Sequence, residues 1–423
     1  MATMTDPQGE SFRFSQLIYD TRYRSMTIQV VALIGFMLFA AWLINNTLDN
    51  LANQGKDLGF AFLGQPAGYD INQQPIPYNS TDTHLRASVV GLLNTLIVAV
   101  LGCITATIIG VLVGVARLSP NWLVARLMAV YVEMFRNVPV LLWIVLVMAV
   151  LIEGLPSPRD FRGDEATASM TAFDSVAVTN RGVYIPKPVL TNGFGTVTND
   201  AGETVNATGG ALEWLIVIAV FAASIAGVLA IRRWSVAKLE ATGDLPSTWW
   251  MQLGVLFLPV AVVLFLFGLI WEYPELTGFN FSGGLHLRNS LIALWLALSL
   301  YTAAFIAEIV RAGIMAISRG QTEAAAALGL RPKRIMNLVI LPQALRVIIP
   351  PLISNYLNLT KNSSLAIAVG YMDITGTLGG ITLNQTGREL ECILLLMLVY
   401  LTISLLISAV MNWYNNSVKL VER

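Results

Sequence analysis

The apolar positions of this chain fall in long unbroken runs, with neither the alternation of a half-buried strand nor the one-sided stripe of a helix on a soluble core. Eight runs stand out: Met26–Leu48, Val89–Ala116, Leu123–Ile152, Leu212–Ile231, Trp250–Trp271, Ser290–Val310, Val347–Val369 and Cys392–Trp413. Runs of this kind reach the roughly 20 residues that cross a bilayer. Lipid offers no partner to backbone N–H and C=O groups, so they must be helices. The missing alternation excludes a barrel. The predicted fold is all-α, a polytopic membrane protein of about eight transmembrane helices.

Two runs are predicted to be broken. In the third, YVEMFRNVP at 131–139 interrupts the apolar pattern; in the seventh, Pro350-Pro351 precedes a polar stretch from Asn358 to Ser364. Irregular or polar backbone at membrane depth persists only where protein or a water cavity covers it, and in transporters it commonly lines the substrate path. Glu308 and Arg311, three apart on the sixth helix, share a face and can pair with each other. Lys361 either faces the path or snorkels to the outer surface. The Gly110–Gly114 spacing suits a helix contact.

Lysine and arginine set the orientation. With the N-terminus inside, the inner segments hold Arg13, Arg22, Arg24, Arg117, Arg126, Arg232, Arg233, Lys238, Arg311, Arg319, Arg331, Lys333, Arg334, Arg346, Lys419 and Arg423. The outer segments, longer in total, hold Lys56, Arg86, Arg159, Arg162, Arg181, Lys187, Arg288 and Arg388. Both termini are therefore expected inside. The outer loop at 153–210 carries turn residues such as Thr198–Gly202 between β-prone stretches and is expected to form a hairpin-bearing cap, either a spacer or a docking rim. The opening MATMTDPQGESFRF lacks a short apolar core before a cleavage site, so no cleaved signal peptide is expected.

One inner segment does not belong to the insertion pattern at all. From Glu323 the chain reads EAAAALGLRPKRIMNLVIL, and Pro342-Gln343-Ala344 follows. An apolar chain gains nothing for its own insertion from an Ala-rich helix, a glycine and a basic cluster; such a segment suits a plug for a socket on a soluble partner. Ala324–Ala327 form helix well and allow close approach. Gly329 permits a sharp exit from the helix. Glu323, read at the helix start, favours the dipole. Arg331, Lys333 and Arg334 either meet an acidic partner or anchor at the inner face.

These residues carry a resemblance. Glu323-Ala324-Ala325, Gly329 and Ile340-Leu341-Pro342 resemble the EAA loop of ABC-importer permeases. GLLNTL at 91–96, YVEMFRNVP at 131–139, YTAAF at 301–305, EIVRAG at 308–313, PQALR at 342–346 and the 359–365 stretch are similar to the polar amino-acid, histidine/glutamine-type branch. The resemblance covers 88–139 and 288–413. It implies a type I ABC-importer permease core built from the second, third, sixth, seventh and eighth runs, with one span added in front and a pair inserted in the middle. That long form resembles the first permease subunit of the general L-amino-acid importers of Gram-negative bacteria. The implied organisation is an extra first helix and periplasmic loop over 1–88, core helices over 89–152, an inserted cap and helix pair over 153–287, core with the coupling loop 317–344 over 288–413, and a tail at 414–423.

What the resemblance further implies is a multi-pass permease of the bacterial inner membrane that moves amino acids inward. Its partners would be a cytoplasmic ATPase dimer that uses ATP and Mg, a second similar permease, and a periplasmic substrate-binding protein. Glu323, Ala324, Ala325, Gly329, Arg331 and Pro342 would couple it to the ATPase. Thr360, Lys361, Asn362, Ser363 and Ser364 would line the substrate path, with Glu308 a weaker candidate for the substrate ammonium.

Composition agrees and narrows the field. Of 423 residues, 55% are hydrophobic and 12% charged, against about a quarter charged in soluble domains, and the zero net charge points away from nucleic acid. Cys103 and Cys392 lie inside apolar runs, which argues against a disulfide or zinc site. No phosphate loop occurs, so the chain is expected to bind neither ATP nor a cofactor of its own. His84, with Asp82 two residues before it, and His286 lack further ligands at metal spacing and read as surface or interfacial residues. No Gly-x-Ser-x-Gly supports a membrane enzyme. The alternative is an ion-coupled secondary amino-acid transporter with Glu133 and Glu308 as coupling sites, which leaves the Glu323 segment unexplained. Trp249-Trp250 reads as an interfacial anchor.

Overall fold

The computed structural model describes residues 18, 21–53, 55, 58–163, 166–198, 204–206, 208–243 and 246–418. Arg13, Lys56, Asn199–Gly202, Lys419, Arg423 and the opening residues assessed for a signal peptide lie outside them. Among the described residues, eight helical spans are long and apolar enough to cross a membrane. The helices are α1 (Thr21–Asn53), α2 (His84–Ala116), α3 (Trp122–Asn137), α4 (Val140–Gly154), α5 (Ala211–Thr242), α6 (Trp249–Leu266), α7 (Asn289–Met315), α8 (Arg319–Ala327), α9 (Pro332–Ile335), α10 (Leu341–Asn362) and α11 (Glu389–Val418).

One span breaks where expected, and two others end or break differently. The third run divides into α3 and α4: Val138 is extended (φ −107°, ψ 133°) because Pro139 disfavours helical geometry in the residue before it. Only α4 and the turn after it form the spanning element, Val140–Phe161. The fifth run stops at Leu266, not Trp271; Gly268 adopts φ 63° and 269–272 becomes a strand. In the seventh, Pro350-Pro351 does not break the helix, since α10 runs unbroken through both to Asn362. The irregularity lies further on, where Ser363–Val369 tightens into a 3-10 helix that ends at Gly370 with φ 68°.

The core forms around α7. In its most apolar window 61% of residues are buried, against none for α1 and α6. Leu294, Leu298, Ile306 and Val310 of α7 join Val98 and Ala106 of α2, Ile144 of α4, and Ile348 and Leu359 of α10 in one cluster. Lipid tails are as apolar as leucine, so helices associate here through close van der Waals packing. The glycines show how close. A Cβ on Gly110 would lie 2.6 Å from Ile306 Cβ, and one on Gly114 would lie 2.7 Å from the Ala307 carbonyl, so the Gly110–Gly114 pair is the α2–α7 contact surface. Helices α5 and α6 pack chiefly on each other.

The fold is helical in the membrane but not all-α outside it. Nine short strands are described, and they form the cap. β1 (Ala177–Thr179), β2 (Gly182–Ile185) and β9 (Leu285–Arg288) make an antiparallel sheet in which Tyr184 opposes His286. β3 (Lys187–Leu190) pairs with β6 (Leu269–Glu272), while β4–β5 (Thr196–Thr198, Thr204–Asn206) and β7–β8 (Glu275–Thr277, Asn280–Ser282) are hairpins. The expected hairpin loop is therefore half of the cap. Its other half is 269–288, which arrives after the inserted helix pair.

Candidate coupling segment and substrate path

The coupling segment begins where α7 ends. Ser318 is extended (φ −63°, ψ 142°), and α8 starts at Arg319. Glu323 therefore sits in the middle of the helix and not at its start, so the dipole argument for it does not hold. At the other end Gly329 adopts φ 76°. Its N–H donates to the Ala326 carbonyl at 2.9 Å, and the Leu330 N–H donates to Ala325 at 3.3 Å. That is the paired closure of a Schellman motif, which needs a left-handed residue at the glycine position. Arg331 then caps α9, with Pro332 at its first position. A π turn at Met336–Ile340 leads into α10, with Pro342 in its first turn.

The result is a two-helix knuckle tied down by Ala325 and Ile335, each 5% exposed. Everything else on it points away from the bundle. Glu323, Ala324, Ala326, Ala327, Arg331, Lys333 and Arg334 are exposed, and Leu328 is 82% exposed. An exposed leucine beside small alanines and a basic rim is a surface shaped to enter a groove.

The candidate path residues do not converge. Thr360 and Ser363 are buried, Asn362 and Ser364 partly so, and Lys361 points outward. The hydroxyls turn back on their own helix: Thr360 donates to Tyr356, Ser363 to Thr360 and Ser364 to Lys361, all at 2.8–2.9 Å. Glu308 is held by Arg311, whose Nη2 lies 2.5 Å from it, and also by Arg117 at the end of α2. The i,i+3 pairing is present, and Arg117 is a third member that sequence reasoning missed.

The residues that sequence reasoning passed over follow the 3-10 helix Ser363–Val369 and pack against it. Asp373 is fully buried. It accepts the Gly376 N–H at 2.9 Å and the Tyr400 hydroxyl at 3.2 Å, and among the described residues no cation pairs with it. Burial pushes its carboxyl from 3.8 up to about 6, against the pull of the hydrogen bonds it accepts. The GLLNTL stretch holds this segment in place. Gly91 leaves room for the Asp373 carbonyl, which a Cβ would meet at 2.8 Å. Asn94 donates to the Met372 and Gln73 carbonyls, each at 2.9 Å, and the Ile374 N–H donates to Thr95 at 3.1 Å. Two polar residues inside an apolar run were the available signal.

Several other expectations resolve here. Tyr131 donates to the Leu300 carbonyl at 2.7 Å, and Phe135 stacks on Trp143 at 4.2 Å. The YVEMFRNVP stretch thus fastens α3 to α7 and α4. Glu133 accepts from Asn137 at 3.3 Å. His84 is not a surface residue: it is 3% exposed, with Nδ1 3.1 Å from the Thr382 hydroxyl. His286 stacks on Tyr184 at 4.1 Å. Burial and the nearby Arg288 lower its pKa, outweighing the Arg181 carbonyl beside it. No group of three or more potential metal ligands occurs among the described residues.

Residues 106–420 match the family described as "Binding-protein-dependent transport system inner membrane component". The chain belongs to this family. It is 58% identical to the glutamate/glutamine/aspartate/asparagine transport system permease protein BztB of Rhodobacter capsulatus, over the full length of both. It is 44% identical to the general L-amino acid transport system permease protein AapQ of Rhizobium johnstonii, over 99% of this chain and 98% of that one. It is 43% identical to the putative amino-acid ABC transporter permease protein YhdX of Escherichia coli, over 95% of each. The cap and the α5–α6 pair lie within the full-length alignment with BztB.

Proposed function

We propose that this permease is one transmembrane half of an ATP-driven importer that carries amino acids from the periplasm to the cytoplasm. The observation that carries the reading is the exposed α8–α9 knuckle, closed by a left-handed glycine and presented on the side opposite the cap. The full-length relatives, permeases of amino-acid transport systems, supply the substrate class. The knuckle enters a separate ATPase dimer, which binds ATP and Mg; this chain supplies no phosphate loop. A second, similar permease completes the pore, and a periplasmic binding protein delivers substrate. Both termini face the cytoplasm of the inner membrane.

In this mechanism ATP closes the ATPase dimer and draws the coupling helices together. The force enters α7 and α10, which flank the knuckle, and shifts the population between outward-open and inward-open states. The Arg117–Glu308–Arg311 cluster ties α2 to α7, so the two move together. A substrate zwitterion requires a carboxylate for its ammonium. Glu308 is already committed to two guanidiniums, whereas Asp373 meets only neutral donors, so the ammonium role falls to Asp373 when the path opens. Thr360–Ser364 line the wall beside it.

The test is Gly329→Val. A β-branched residue at φ 76° is strained by about 1–3 kcal/mol and disrupts the knuckle's closure. Uptake by the assembled importer is expected to fall at least about tenfold, with the chain still inserted and the ATPase co-purifying poorly. Normal uptake would remove the reading. Uptake that survives ATP depletion but collapses with an uncoupler would favour ion coupling instead.

A further inference from the structure

We propose that the inner end of the α5–α6 hairpin is a binding site for an anionic phospholipid headgroup, with Arg232 and Arg233 holding its phosphodiester. The apolar part of α5 runs from Trp214, just after the carboxylate Glu213, to Ile231. At 1.5 Å per residue that length matches the hydrocarbon core of a bilayer, about 30 Å. The adjacent pair Arg232-Arg233 therefore sits at phosphate level, on the same side as the coupling knuckle. The helix continues beyond it to Thr242. The two guanidiniums are thus carried on ordered backbone, not on a loose loop.

Both arginines are exposed, and neither meets a carboxylate among the described residues. The contrast with the core is direct, because Arg117 and Arg311, also at inner helix ends, share Glu308. Glu240 lies on the same face of α5 but about two turns further from the bilayer, beyond the headgroup layer. Aromatic rings frame the arginines at the same level. Trp234 is 51% exposed with Lys238 Nζ 5.3 Å from its ring, and Trp249 and Trp250, stacked at 3.7 Å, open α6. Trp and Arg together mark the interface, where an indole sits at headgroup depth and a guanidinium grips phosphate in bidentate fashion.

The occupant is lipid and not protein on two grounds. Helix α6 has no buried residue, and its Phe257, Leu258 and Phe265 are 60–83% exposed, a surface solvated by acyl chains. The molecules that bring those chains also bring the phosphate that complements the arginines, and basic residues just inside a span attract anionic lipid.

The assembled complex, reconstituted in nanodiscs of phosphatidylcholine with phosphatidylglycerol, provides the test. Native mass spectrometry counts the phosphatidylglycerol that stays bound. The double variant Arg232→Gln/Arg233→Gln is expected to retain it about 30-fold more weakly, from two arginines near the surface. Phosphatidylcholine retention is expected not to change. Lys187→Gln on the cap is expected to behave as wild type. Inorganic phosphate is expected not to displace the lipid. Wild-type retention by the double variant overturns the proposal. So does an equal loss from Lys187→Gln, or displacement by inorganic phosphate alone. Glutamine is a good helix former and both positions are exposed, so folding is not at stake.

Discussion

Helices α7 and α6 are both continuous apolar spans, yet one is the centre of the bundle and the other buries nothing. The comparison teaches that in a bilayer hydrophobicity places a helix but does not pack it. Packing comes from small residues that let backbones approach and from polar groups that must find partners. Gly110 and Gly114 of α2 lie against α7, and Gly313 of α7 lies against Ile348 of α10, each with a neighbour that a Cβ would strike, whereas Gly254 of α6 has nothing within 4 Å. Hydroxyls, amides and the buried Asp373 then lock the segments around the α7 bundle, while α6 packs chiefly on α5.

The comparison breaks first at the glycines. Gly114→Leu forces α2 away from α7 and is expected to cost about 3 kcal/mol, whereas Gly254→Leu should change stability by less than about 0.5 kcal/mol. Thermal unfolding followed with a thiol-reactive dye reads both, since Cys103 and Cys392 are free and shielded in the fold. Equal effects would erase the distinction.

Next come the ion pairs. Glu308→Gln leaves two guanidiniums facing a neutral amide at a partly exposed site, an expected loss of about 2 kcal/mol. The Asp82–Arg86 pair, 3.3 Å apart on the outer surface, should lose less than about 0.5 kcal/mol in Asp82→Asn. The same melting assay decides.

The pH dependence separates the buried Asp373 segment from the cap, because the two carry opposite signs. Asp373 titrates near 6 in the fold and near 3.8 when unfolded, so between these the native state holds more protons. Its contribution is lost as pH rises through about 6, and Asp373→Asn should flatten that slope. His286 of the cap is depressed below 6.5, so the unfolded state takes up the proton first. Its contribution is lost as pH falls below about 6.5, and His286→Phe, which keeps the stack on Tyr184, should remove it. Melting temperatures across pH 4–8 separate the two. The smallest effect belongs to Leu258→Ala on α6: its side chain is 66% exposed, and a change within about 0.5 kcal/mol is expected.

Much of this was legible along the chain. The eight spans follow from lipid's inability to satisfy backbone groups, the division at Pro139 from the restriction on its preceding residue, and the turn at Gly329 from the one residue type at ease in left-handed geometry. Pro350-Pro351 misled, because helix-breaking prolines are tolerated in membrane helices, and α10 runs through both. The strand pairs β2–β9 and β3–β6 were hidden because their partners flank an inserted helix pair.

By itself, then, the order of residues determined which segments are long and apolar enough to cross a membrane and where an exposed two-helix knuckle interrupts them, since each of these is set by local transfer energy and backbone sterics. Only the tertiary structure decided that Arg117 meets Glu308, that Asp373 is shut away from cations, and that Thr360–Ser364 spend their hydroxyls on their own helix. Those outcomes depend on which helix faces which, and in a uniformly apolar medium that choice is made by shape and by the search of buried polar groups for partners, neither of which is written in hydropathy.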